Sequence, residues 1–161
     1  MQLTRAADYA IRVMIHLAGL PPGARVSRSE LSAAAECPEQ FLCKVLQNLT
    51  RAGLMISHRG NTGGYELEEL HRTASVLEVV EAVEGPIRLN LCLTSDHACT
   101  RQEWCPAHGV WAAAQASLRQ VLKDANIADL ALRTSAAHCP AIVLRPVPEP
   151  PGVPGALPNA T

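Results

Sequence analysis

Breakers and caps between residues 19 and 64 constrain this chain most, because they cut it into pieces too short for anything but small, closely joined elements. Gly19 and the run Pro21-Pro22-Gly23 stop a first helical pattern. Ser27-Arg28-Ser29-Glu30 opens a second as a capping box, in which Ser27 accepts from the backbone of Glu30 and Glu30 reaches back. Cys37-Pro38 closes that helix and opens a third, since proline is tolerated in a first turn. Gly53 stands just past the third helix, where a left-handed cap is needed. Leu54 to His58 and Tyr65 to Leu67 then read as strands joined by the glycine-rich turn Arg59-Gly60-Asn61-Thr62-Gly63-Gly64. Two short helices, a tight turn and a following hairpin make a winged helix-turn-helix.

The apolar spacing supplies a core for these pieces. Leu3, Ala6, Ala10, Val13, Met14 and Leu17 stripe the first helix, from Thr4 to Gly19. Leu31, Ala34 and Ala35 stripe the second, and Phe41, Leu42, Val45, Leu46 and Leu49 the third. A fourth helix starts at a second box, Ser75 with Glu78, buries Val76, Val79, Val80 and Val83, and ends at Gly85-Pro86. Leu89 to Trp104 shows no period. A longer helix follows over 106–124, with Trp104, Trp111 and Leu118 seven apart and Ala107, Ala114 and Val121 seven apart, three residues on. That is an a/d seam, and it predicts a homodimer interface through Trp104, Trp111, Leu118 and Val121. A short helix is expected from Asn126 to Leu132.

The expected fold class is mostly α with a small β-hairpin wing: a winged helix-turn-helix plus a long dimerisation helix. Residues 1–70 form the winged unit, 71–90 a connecting helix, 91–108 a loop, and 106–133 the dimerisation helix and a short terminal helix. Residues 134–161, Pro-, Ala- and Gly-rich with almost no charge from Pro140 on, read as a disordered tail.

Net charge is −1, which does not by itself suggest a nucleic-acid binder. Its distribution does: the first 65 residues hold seven basic and four acidic side chains, the remainder seven and eleven. Double-stranded DNA is therefore the expected partner of the N-terminal half. Arg28, Glu39, Gln40, Cys43 and Lys44 are the candidates around the recognition helix, and Arg59 and Asn61 those on the wing. Gln can read adenine bidentately, and Lys can take guanine or phosphate. No run of 18 apolar residues offers a membrane span, and the N-terminus lacks the apolar core of a secretory signal, so the expected compartment is the cytoplasm. No phosphate loop, Ser/His/Asp set or paired carboxylates suggest an enzyme.

Six cysteines in a cytoplasmic chain point to metal or redox chemistry rather than to disulfides. Cys92, Cys99, Cys105 and His108 follow the pattern C-x6-C-x5-C-x2-H in a polar stretch that runs into a helix. Thiolates are soft ligands for zinc or for iron–sulfur clusters. Structural zinc sites bring their ligands in close pairs, and here only Cys105 and His108 are that close, so the wider gaps favour a bulkier cluster wrapped by a loop. Cys37, Cys43 and Cys139 have no partner at metal spacing, and His97 is a spare ligand inside the loop.

The order of these parts resembles the IscR/NsrR family of bacterial iron–sulfur regulators over about residues 1–133. The resemblance is carried by Leu3-Thr4 with Asp8-Tyr9-Ala10, by Arg59 to Tyr65, by Val83-Glu84-Gly85-Pro86, and by the cysteine loop. It implies a homodimer on near-palindromic promoter DNA, with a 2Fe-2S or 4Fe-4S cluster whose state changes DNA affinity. His108 is similar to the fourth ligand of one branch. Asp8 is similar to that of the other, where it comes from the partner subunit. A zinc-stabilised or cluster-free regulator, and a small redox or metal-binding protein, are the alternative readings.

Overall fold

The computed structural model describes residues 3–60, 63–94 and 99–135. Six helices and one hairpin follow in chain order: α1 (Arg5–Ala18), α2 (Arg28–Ala35), α3 (Glu39–Arg51), β1 (Met55–His58), β2 (Gly64–Leu67), α4 (Val76–Glu84), α5 (Pro106–Asp124) and α6 (Ile127–Ser135). Single 3-10 turns lie at Glu69–His71 and Leu91–Leu93.

Local chemistry sets the ends of these helices as the sequence predicts. Thr4 caps α1, and both Ser-x-x-Glu boxes close reciprocally, Ser27 with Glu30 and Ser75 with Glu78. Those contacts pull the Glu30 and Glu78 carboxyls below their ordinary range, because each carboxylate accepts from its serine. Pro38 stands at the N-cap position of α3, and Gly53 takes a left-handed φ of 78° just beyond the helix.

Helix α1 is the centre of the fold. Ala7, Ala10, Val13, Met14 and Leu17 are buried along it, and α2, α3, α4, α6 and β2 all pack against it. The hairpin pairs antiparallel, Met55 with Leu67 through His58 with Gly64. It is stitched to the segment before α2 by two backbone bonds, Val26 N–H to Tyr65 O (2.9 Å) and Tyr65 N–H to Val26 O (2.8 Å). Ile127 and Ala131 of α6 are buried, and the Ile127 amide donates to the Ala74 carbonyl at 3.0 Å. The chain therefore returns to the core after its longest helix.

Three apolar expectations fail. Leu3 is exposed, because it precedes the Thr4 cap and lies outside the helix. Ala34 is exposed, because the short α2 buries only Leu31 and Ala35. Phe41 is 64% exposed rather than part of the α3 stripe, because Leu42, Val45, Leu46 and Leu49 already fill the face toward α1. The tail from residue 136, including Cys139, lies outside the described residues.

Gly64 has a φ of +155°, and a Cβ there would come within 2.8 Å of the Val26 carbonyl oxygen. Gly64→Ala is expected to part the wing from the Val26 segment and cost about 1–3 kcal/mol. A lowered Tm with helical circular dichroism retained is the expected result; an unchanged Tm would contradict the close approach.

Candidate DNA-binding face and thiol loop

Helix α3 sits at the edge of the core with one side buried and the other open. Glu39, Gln40 and Lys44 are exposed on its first turns, and Cys43 is half-buried beside them. Arg28, the first residue of α2, reaches across to α3. Its Nε donates to Glu39 Oε2 at 3.0 Å and its Nη1 donates to Cys43 Sγ at 3.3 Å. Glu39 and then Cys43 raise the pKa of Arg28 further, so this cation stays charged and tied to α3. Gln40 and Lys44 carry no ion pair or hydrogen bond among the described residues, so they are available to an incoming ligand.

At the wing, Arg59 follows β1, is exposed, and forms no ion pair among the described residues. The hairpin below it is braced by Glu66, whose Oε2 lies 2.8 Å from His58 Nε2 and 3.5 Å from Arg25 Nε. His58 is thus a half-buried partner of Glu66 rather than a solvated ring. Asn61 lies outside the described residues.

The sequence patterns do not mark Arg5 and Phe41 as site residues. With Gln40 and Lys44 they line a groove of about 660 Å³ between α3, the start of α1 and the end of α4. Phe41, the one exposed large apolar side chain on α3, is the signal, and only tertiary packing reveals it.

The candidate metal ligands are spread over three elements. Cys92 lies in the 3-10 turn Leu91–Leu93, Cys99 in the following loop, and Cys105 is the N-cap of α5. All three thiols are free and half-buried. The His108 amide donates to the Cys105 carbonyl at 3.0 Å, and its ring Nδ1 is buried with no hydrogen-bond partner among the described residues. Among the described residues no three metal-ligating side chains are drawn together, and residues 95–98, His97 included, lie outside them. In donor chemistry the set fits a thiophilic metal group: three uncommitted sulfurs and one buried imidazole nitrogen that lacks a partner. Asp8 is committed differently. Its Oδ2 accepts from Arg12 at 3.0 Å, and Arg12 also contacts Glu36 Oε2, at the C-cap of α2, at 3.2 Å. The i,i+4 spacing of Asp8 and Arg12 could have signalled this pair.

The approach to the loop is pinned by polar contacts. Glu81 Oε1 accepts from the Ile87 amide at 3.0 Å and pairs with Arg119 of α5. The Leu89 amide donates to Gln115 Oε1 at 3.0 Å. Along α5 no residue is fully buried. Trp111 and Val121 face outward, and Trp104 is 68% exposed just ahead of the helix. Leu118 of the predicted seam is half-buried and packs partly against the protein's own core, as does Leu122. The cause is that α5 packs on α4 along this side, so one face of the helix serves its own subunit.

Residues 3–133 match the Rrf2 family, described as an iron-dependent transcriptional regulator. An HTH-type transcriptional regulator of Mycobacterium tuberculosis is 34% identical over 131 residues, covering 81% of this chain and 81% of that protein. Among solved structures, CymR of B. subtilis, the global cysteine regulator of that organism, superposes with a TM-score of 0.63 at 24% identity, over 82% of this chain and 97% of that one. T. potens IscR superposes with a TM-score of 0.64 at 23% identity, over 88% and 94%. These relatives are regulators and not enzymes, and the winged helix-turn-helix fold is the one they share.

Cys37 stands apart from the other four described thiols. It is 3% exposed, and burial pushes its thiol pKa up, so it carries little thiolate. Iodoacetamide on metal-free protein should therefore label Cys43, Cys92, Cys99 and Cys105 and spare Cys37 until the chain is unfolded. Native-state labelling of Cys37 at a comparable rate, read by mass spectrometry, would contradict its place in the core.

Proposed function

Because the chain belongs to the Rrf2 family of transcriptional regulators, we propose that it is a homodimeric, cytoplasmic promoter-binding protein whose DNA affinity is set by an iron–sulfur cluster. Cys92, Cys99 and Cys105 are the sulfur ligands in this reading. The buried Nδ1 of His108, which has no hydrogen-bond partner among the described residues, is the observation that carries it, since a buried ring nitrogen without a partner is costly unless something binds it. His108 is the favoured fourth ligand. Asp8, the alternative, would first have to leave Arg12. Such a cluster supplies a centre that responds to nitric oxide, redox state or iron supply.

The chain's own residues would carry the response. Glu81, Arg119 and Gln115 fix the entry to the thiol loop against α5, and α5 leads into α6, which packs on α1. A change at the loop is thereby passed to the helix on which the DNA-binding elements rest. DNA half-sites have fixed spacing, so a small rotation of two winged units changes affinity strongly. The outward face of α5, with Trp111 and Val121 open and no residue fully buried, supports the dimer. Recognition falls to Arg28, Glu39, Gln40, Cys43 and Lys44 on the helix-turn-helix and to Arg59 and Asn61 on the wing.

Two experiments check this reading. Arg59→Ala is expected to weaken binding to all duplexes and lower the salt slope by roughly one, as loss of a phosphate contact does. Gln40→Ala should instead relax preference at one base position, by about 1–3 kcal/mol. Equal binding by both variants and the parent protein would displace the recognition surface from α3 and the wing.

Protein purified without oxygen should be brown and hold iron and acid-labile sulfide, and Ala at Cys92, Cys99 or Cys105 should remove the colour. His108→Ala should destabilise the cluster, and Asp8→Ala should leave it nearly intact. The reverse outcome assigns Asp8, and mixing Asp8→Ala with Cys99→Ala subunits should then restore about half the cluster content, since one site of the mixed dimer is complete. Colourless protein with stoichiometric zinc would replace the cluster by zinc, and metal-free protein that still binds DNA would make the regulator cluster-free.

A further inference from the structure

Phe41 is the one phenylalanine of the chain, and it is 64% exposed at the third residue of α3. The residues at the N-terminal end of a recognition helix are those that reach base edges. Gln40 precedes it and Lys44 follows one turn later, both exposed, so Phe41 is continuous with the face already assigned to base reading. Across the groove it lines stand Arg5, Tyr9 and Val83. One carboxylate also faces this groove, that of Glu84, but it accepts from the Thr4 amide at 2.9 Å and from the Thr4 hydroxyl. The uncommitted charges around Phe41 are thus the cations Arg5 and Lys44, which suits a phosphate-bearing partner.

A phenyl ring has no donor or acceptor with which to read a base. In the major groove the apolar feature it can meet is the C5-methyl of thymine. Given the DNA-binding reading above, we infer that Phe41 is a specificity residue that packs against a thymine methyl in each half-site, beside the polar contacts of Gln40 and Lys44. None of the other exposed large apolar residues lies on α3: Trp111 and Val121 are on α5, Ile56 is on β1 and Leu132 is on α6, so Phe41 is the one exposed large apolar side chain of the reading helix.

The full-length protein is used to select duplexes from a random-sequence library, and a selected fragment is then remade with deoxyuridine in place of each thymine in turn. Deoxyuridine removes the methyl and keeps the base pair. The parent protein should bind about fourfold more weakly at one thymine per half-site, the factor for losing one buried methyl-sized group. Phe41→Ala should bind the thymine and deoxyuridine fragments equally, and Phe41→Leu should keep part of the difference. Circular dichroism of both variants should match the parent, because the side chain is outside the core.

Overturning results are equally specific. The inference fails if no deoxyuridine position weakens the parent protein, or if Phe41→Ala keeps the full deoxyuridine penalty. A Phe41→Ala change in dimer dissociation, read by sedimentation, with the thymine preference intact, would show that a second copy covers the ring. Failure to enrich any duplex overturns the DNA-binding reading itself, and Phe41 readout with it.

Discussion

Everything in this fold leans on one apolar stripe. Ala7, Ala10, Val13, Met14 and Leu17 lie on a single side of α1 and are buried almost completely. The larger of these contribute roughly 1.5–3 kcal/mol each on burial. The small residues Ala7 and Ala10 let neighbouring helices approach closely. Polar contacts then fix the two ends of the helix. Thr4 binds Glu84 of α4 at the start, and Arg72 donates to the Ala18 and Leu20 carbonyls at the end, at 2.8 and 3.1 Å. The last carbonyls of a helix lack intrahelical donors, so Arg72 satisfies groups that would otherwise need water.

Helix α1 touches both halves of the molecule. The helix-turn-helix rests on one part of it, and α4 and α6 on another. Among its described residues, the thiol loop contributes none to the buried core. Its approach is held by Glu81, Arg119 and Gln115, and its exit is the start of α5. The proposed sensing role requires anchors of this kind, which tie the ends of the loop to α4 and α5. Arg12 adds a second link: it joins Asp8 on α1 to Glu36 in the turn before α3, the one non-glycine residue with a left-handed backbone among the described residues.

The proposed recognition face combines fixed and free groups. Arg28 is committed to Glu39 and Cys43, and these contacts hold the first turn of α3 against α2. Gln40, Lys44 and Arg59 remain uncommitted. A site built this way keeps the helix rigid while leaving donors available, so less side-chain freedom would be lost in orienting the helix on DNA.

The sequence alone determined whatever depends on neighbours a few residues apart. The two capping boxes, Pro38, Gly53 and the glycines of the wing placed the helix ends and the hairpin, because capping and left-handed backbone are local chemistry. The three-cysteine spacing likewise identified the soft-ligand candidates without any fold. Tertiary structure decided which side of each element is covered. Phe41 fits the α3 period yet stands in the open, since four other side chains already fill the contact with α1. Leu118 fits the seam period and also packs partly on its own core, since α4 packs against α5. The return of α6 to α1 through Ile127, the Arg12 bridge and the groove beside Arg5 join residues far apart in the chain. Periodicity reports that a helix has an apolar face, but which neighbour that face meets is fixed only when the whole chain has packed.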